Sequence, residues 1–399
     1  MNKRLFVRPK KVIIEKSNRL YQLAPTIDSL LPHDHRRSLL RKTSVLDLAS
    51  FRWPTAPDEE HLPDASLLGP ATVTSLNKLR DEIAGWFQTH HGVRLDPQKE
   101  LYIGGGISDL MFNIALAFVD HGTLAFVPEL GIPLYRRVTT ACGGEAVSYA
   151  VSPRNNWQPD FERVGTRLGR VAGILFLNTP HNPTGAELDE KQMADLIWLA
   201  GRENVLVVND AAYASISGRR HVSLLSVSGG KQVGVEVYSF AYNVGLPAMP
   251  FGFVAGNREV IEGVKQAAQL TRHPVSEYQV KLAVQAIRQF PNESLKEVRS
   301  LIYANEAETA RILRPLQFEK AGSDTVPYVW ARIERRRQSI AAATTLYRRG
   351  RILVVPGTAL GDSGEGFLRF SLTAPADHYS EAVQRVKKLY KRTQLGGTE

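Results

Sequence analysis

A single cysteine, Cys142, among 399 residues excludes an internal disulfide framework and any metal site built on several thiolates. With no second thiol to meet, Cys142 is expected to be a buried structural side chain in a reducing, cytoplasmic setting. Long apolar runs are also missing. No stretch approaches the length that spans a bilayer, and the basic start MNKRLFVRPKKVIIEK lacks the apolar centre of a signal peptide. Acidic residues are the minority charge, 40 Asp+Glu against 50 Lys+Arg, for a net +10. Such a surplus can serve nucleic acid or anionic substrates. Here it is scattered over Lys10–Lys11, Arg36–Arg37, Arg335–Arg337, Arg348–Arg351 and Lys387–Arg392, without a zinc-finger or RNA-recognition signature. No nucleic acid, membrane or metal partner is expected.

What is present is a soluble globular composition, 43% hydrophobic and 23% charged. Residues 1–45 read as an irregular basic arm. Leu76, Leu79, Ile83, Trp86 and Phe87 recur at helical spacing up to Gly92, and Ser108 opens a second helix, SDLMFNIALAF, that Gly122 closes. Short apolar runs follow: TLAFVP, AVSYAV, ILFLN, VLVVND, VEVYSF and FGFVAG, with helical stretches such as MADLIWLAG between several of them. Strands alternating with helices predict βαβ units and a largely parallel sheet buried on both faces. From about 290 a long charged helix, YVWARIE, a basic helix, ILVVPG, FLRFSL and a final helix predict a smaller α/β domain with an antiparallel sheet. In the final helix, Ala382, Val383, Val386, Leu389 and Tyr390 alternate with the Lys387–Arg392 cluster, which predicts a solvated basic face. The expected division is an arm over 1–45, a large domain over 46–290, with 46–70 able to join the small domain, and a small domain over 291–399.

Ligands of open α/β sheets bind beyond the carboxyl ends of the strands. Three such ends carry polar residues in this chain. ILFLN runs into Asn178-Thr-Pro-His-Asn182-Pro183-Thr184-Gly185, VLVVN into Asp210-Ala-Ala-Tyr213, and VEVYS into Ser239-Phe-Ala-Tyr242. Singly each is a common turn or strand end. In this order and spacing they are specific.

With LRDEIAGWF, the Gly106 turn, GFVAGN and VPGTALGDSGEGFLRFSL, these segments make the chain similar to class I/II aminotransferases of the pyridoxal-phosphate (PLP) superfamily, fold type I. The similarity is strongest to the LL-diaminopimelate aminotransferase-like branch and spans roughly residues 40–393. It implies an α/β PLP-transferase fold, with a mostly parallel seven-stranded sheet between helices and a smaller C-terminal domain. It also implies a homodimer acting on a small-molecule carboxylate. By the same resemblance, Asn182 and Tyr213 would hydrogen-bond the cofactor's phenolic oxygen and Asp210 would face its pyridine nitrogen. Ser108, at a helix N-terminus, and Ser239 would receive the phosphate. Arg369 would grip the substrate's α-carboxylate with its bidentate fork.

Four positions depart from the family pattern. The family's Schiff-base lysine lies three residues after the serine matched by Ser239, where this chain has Tyr242, and no lysine occurs from Gln232 to Arg258. That lysine anchors the cofactor and moves the proton. Pro250, Pro70 and Ile132 stand where the family has an arginine, a tyrosine and a stacking aromatic. Arg52, near a family glycine, is expected to reach into the phosphate region or toward the substrate. Three readings follow. In the first, the pocket is kept but the chemistry is acid/base cyclisation, dehydration, isomerisation or condensation, with Tyr242, Tyr213 and Asp210 as the catalytic groups. The second holds PLP or its amine form without a covalent bond. The third is a non-catalytic subunit or ligand sensor.

Overall fold

The computed structural model describes residues 45–53, 67–160, 173–246, 251–271, 274–333 and 338–395. The expected arm over 1–45 and Pro250 therefore lie outside the described residues, apart from Val45. Strand β1 is Leu46–Asp47. The main sheet takes β2 (Leu101–Gly104), β3 (Leu124–Pro128), β4 (Glu145–Tyr149), β5 (Gly173–Asn178), β6 (Val205–Asp210), β7 (Gly234–Ser239) and β8 (Gly252–Gly256). Its order is β2-β8-β7-β6-β5-β3-β4, and only β8 runs antiparallel to its neighbours. The fold is thus the α/β PLP-transferase type, with a mostly parallel sheet between helices. β5, β6 and β7 are buried almost end to end because helices cover both faces, which is why they read as unbroken apolar runs.

The second sheet is four-stranded and antiparallel, in the order β12-β13-β10-β9, from β9 (Glu319–Ala321), β10 (Tyr328–Arg332), β12 (Val355–Pro356) and β13 (Phe367–Ser371). β1 pairs with β11 (Ile352–Leu353), and Leu46 and Leu48 pack among Phe370, Tyr379 and Val386. The chain before the first long helix, Val73–His91, therefore contributes at least residues 46–48 to the small domain. In the final helix, Ala376–Leu395, Ala382, Val383 and Val386 are buried while Lys387 and Lys388 are exposed. Cys142 is half-buried rather than buried, because it caps the C-terminal end of the short helix Leu134–Ala141 and packs at the edge of a core cluster rather than inside it.

The two domains meet at the turn that follows β5. Ser323 N–H donates to the Thr184 carbonyl at 2.7 Å, and Gly131 N–H to the Leu360 carbonyl at 2.7 Å. Gly185 sits at φ +69, where a Cβ would lie 2.5 Å from the Ser323 carbonyl oxygen. Gly322, at φ +96, would clash in return with the Thr184 carbonyl. Backbone here touches backbone, with no room for side chains. By contrast Gly366, at φ +84, faces open space. Gly185→Ala should lose about 2–4 kcal/mol of stability, and Gly366→Ala only the left-handed backbone term of about 1–2 kcal/mol. Equal shifts of the two urea midpoints would refute the close-contact account.

Candidate functional site

The C-terminal ends of β5 and β6 are in register, Asn178 beside Asp210, so their polar ends emerge together. Asn178 ties them. Its Nδ2 donates to the Asp210 carbonyl at 2.9 Å, and its Oδ1 accepts the Asn182 N–H at 2.8 Å. A side chain at the end of one strand thereby sets the turn that carries Asn182. His181 braces the same turn, with its Nδ1 at 2.8 Å from Thr184 Oγ1 and its Nε2 at 2.8 Å from the Leu130 carbonyl.

Asp210 is fully enclosed. Its Oδ2 accepts the Tyr135 hydroxyl at 2.8 Å and its Oδ1 the Ala212 N–H at 3.1 Å. Burial pushes this carboxyl up to about 6, against those two hydrogen bonds, which favour the anion. Among the described residues no cation lies within 4.0 Å of it. Tyr135 stacks on Phe176 with ring centroids 5.5 Å apart, and burial followed by the Asp210 charge holds its phenol well above its ordinary value. It stays a donor.

Arg369 comes from the small domain, in the middle of β13 opposite Trp330. It is 5% exposed. Its Nη1 donates to Asn182 Oδ1 at 3.1 Å and its Nη2 to the Ala49 carbonyl at 3.2 Å, while Nε has no partner. The guanidinium carbon lies 4.1 Å above the Tyr328 ring. No carboxylate pairs with it among the described residues. Asn182 Nδ2 in turn donates to the Tyr213 hydroxyl at 3.4 Å, and that hydroxyl lies 3.2 Å from the Tyr328 hydroxyl. The Tyr242 ring stands 5.2 Å from Tyr213 and 4.8 Å from Phe51. Burial raises the Tyr242 phenol well above its ordinary value, assisted by Tyr328 and Asp210 and opposed by Arg369.

Asn182, Tyr213, Tyr242 and Arg369 are thus one contacting set beside Asp210. Ser239 closes β7, buried, with its N–H on Asn243 Oδ1 at 2.8 Å. Ser108 is exposed in the first turn of the helix Ile107–Phe118, whose N-cap Gly106 offers no side chain to the free amides. Arg52 is arranged differently from the expectation. Its Nη2 is held at 2.8 Å by Asp47 Oδ2, so its charge is spent on a carboxylate of its own loop. Ile132 packs into the cores on both faces of the sheet, and Pro70 bridges to Ser276. Tyr135, Tyr328, Phe51 and Trp53 complete the site and were not singled out from the sequence. Alternation along β10 is the signal that could have found Tyr328, since Tyr328, Trp330 and Arg332 share one face. No cluster of metal-ligating side chains exists among the described residues.

These residues fit a PLP ring. A buried carboxylate without a cation suits a protonated pyridine nitrogen, and the Asn182–Tyr213 pair offers hydrogen bonds to one oxygen. The chain belongs to the aminotransferase class I and II family, whose family model matches residues 61–386. It is 27% identical over 392 residues to an LL-diaminopimelate aminotransferase of Moorella thermoacetica, covering 96% of this chain and 100% of that one. It is 30% identical over 312 residues to the corresponding Gloeobacter violaceus protein, covering 77% and 79%. Among solved structures, substrate-bound BacF from Bacillus subtilis superposes with a TM-score of 0.85 at 23% identity, over 95% of this chain and 98% of that one.

These relatives correct one expectation. Proteins similar to this chain over 82% to 96% of its length are named as aminotransferases, which points to amino transfer. The readings drawn from position 242, of acid/base chemistry without amino transfer or of a non-catalytic subunit, are overturned. The physical reason is that the side chains expected of the site, Asn182, Tyr213 and Arg369, come together beside Asp210, and the departures elsewhere do not disperse them.

A carboxyl whose folded value lies above its unfolded 3.8 binds protons more tightly in the folded state. Stability of the ligand-free protein therefore falls as pH rises through 3.8, and the whole penalty is present above about 6. Asp210→Asn should stabilise the ligand-free chain at pH 8 by on the order of 1–3 kcal/mol, with the gain vanishing toward pH 4. Urea denaturation at the two pH values checks it, and a pH-independent difference would refute the assignment.

Proposed function

We propose that the chain catalyses amino transfer between an amino acid and a 2-oxo acid, using PLP held without a covalent bond to a lysine. The observation that carries this reading is the buried Arg369 guanidinium, bonded to Asn182 yet, among the described residues, paired with no carboxylate, together with Asp210, which no described cation neutralises. Leaving a charge in such a place is costly unless an opposite charge arrives. A substrate α-carboxylate and a protonated pyridine nitrogen are those charges. The bound cofactor supplies an electron sink for the bond broken at the substrate's α-carbon.

The chain's own groups divide the work. Arg369 holds the carboxylate, with Asn182 Oδ1 fixing one end of its fork. Asp210 remains ionised once a cation faces it, and Tyr135 keeps its carboxylate aimed. Tyr213 and Asn182 donate to the cofactor's ring oxygen, while Ser239, Ser108 and the amides of the first helical turn receive its phosphate. Tyr242 occupies the place of the family's lysine. Its raised phenol keeps the proton on Oη at neutral pH, so it donates a hydrogen bond and is a poor base.

Absence of a covalent anchor is supported by where the neighbouring lysines go. Lys231, in the helical turn Gly230–Val233 that precedes β7, binds Glu100 at 2.6 Å, and the whole length of β7, about 20 Å of strand, separates that turn from Ser239. Lys265 binds the Gln98 carbonyl at 2.7 Å. A homodimer with sites at the subunit interface belongs to this proposal by family resemblance. A light-scattering mass near 44.3 kDa, that of one chain, would remove it.

Wild-type protein with added PLP should transfer amino groups above the protein-free rate, and borohydride should trap no cofactor–lysine adduct. Tyr242→Lys should form such an adduct and accelerate transfer by about 10²–10⁴. A trapped lysine adduct in the wild type would overturn non-covalent binding. Transfer no faster than without protein would overturn the function.

A further inference from the structure

Beyond the ring and the carboxylate fork, the site has a wall made of aromatic rings. Trp53 meets Phe51 edge-on at 5.4 Å, Phe51 meets Tyr242 at 4.8 Å, Tyr242 meets Tyr213 at 5.2 Å, and Tyr213 meets Tyr328 at 5.9 Å. Tyr328 ends the series beneath the Arg369 guanidinium. Tyr213 and Tyr328 are buried, whereas Phe51, Trp53 and Tyr242 are only partly so, and part of each of these three side chains stays accessible. Large aromatic side chains left partly accessible next to a buried, unpaired cation are the recognition elements of an amphiphilic anion.

We propose that the substrate is an amino acid or 2-oxo acid with an aromatic side chain, lying on the Phe51–Trp53–Tyr242 wall. This rests on the reading of Arg369 as the α-carboxylate site. The charged groups nearby argue the same way. A diacid would need a second free cation, and a distal ammonium would need a free carboxylate. Arg52 is the remaining cation on this loop, and it is held by Asp47. Among the described residues, Arg369 is the one charged group stacked on any of the five rings. The distal part of the substrate therefore meets apolar faces and phenols, whose hydroxyls are already engaged at Tyr213 and Tyr328.

The test is calorimetric binding to the full chain saturated with pyridoxamine phosphate, using 3-phenylpropionate, glutarate and pimelate as probes. 3-Phenylpropionate should bind at least about tenfold more tightly than either diacid. Phe51→Ala and Trp53→Ala, both at partly exposed positions, should reduce that preference to about threefold or less, chiefly by weakening 3-phenylpropionate. Arg369→Gln should abolish binding of all three. A diacid that binds as tightly as 3-phenylpropionate overturns the aromatic assignment and leaves the carboxylate site standing. No binding of any carboxylate to the wild type overturns the site reading itself, and with it this inference.

Discussion

Two buried charges that no opposite charge among the described residues neutralises govern the arrangement of this molecule. Asp210 ends a central strand of the large sheet, and Arg369 sits mid-strand in the small one. Each is hydrogen-bonded by neutral groups only, Tyr135 and Ala212 for the anion, Asn182 and Ala49 for the cation. Neutral dipoles orient a charge without cancelling it, so both sites favour a ligand that brings the opposite sign. Because the two come from different domains, the domain joint must be stiff. The backbone contacts of Thr184 and Gly185 with Ser323 supply that stiffness, and the same turn carries Asn182, which touches Arg369.

The phenols around this pair fill the site with rings rather than with further charge. Tyr242 contributes a ring packed on Tyr213 and Phe51, and its hydroxyl, raised by burial, adds no new charge. A lysine there would bring a third charge beside Arg369. With tyrosine the local electrostatics are those of one cation and one anion awaiting partners.

Much of this was legible in the sequence, for physical reasons that differ from place to place. β5, β6 and β7 are continuous apolar runs because both faces are covered, and each ends in a polar residue because the strand ends face the site. Asn182, Asp210, Tyr213 and Arg369 could be picked out on that basis and by family resemblance. Arg52 could not be placed, since its partner Asp47 lies five residues back at the end of β1 with an irregular segment between them, a spacing no helical or strand period encodes. Tyr135 and Tyr328 were hidden inside segments that read as ordinary helix and strand. Their importance lies in hydroxyls that meet Asp210 and Tyr213 across long sequence separations. The expectation of a changed reaction failed because the departures at Tyr242, Pro250, Pro70 and Ile132 outweighed the retained Asn182, Asp210, Tyr213 and Arg369 in that reading.

The most direct measurement is a crystal structure of the chain grown with pyridoxamine phosphate. The account predicts the pyridine nitrogen within hydrogen-bonding distance of Asp210, the ring oxygen between Asn182 and Tyr213, and Tyr242 in contact with the cofactor but not bonded to it. Cofactor density away from Asp210, or a lysine Nζ joined to the ring's exocyclic carbon, would contradict it.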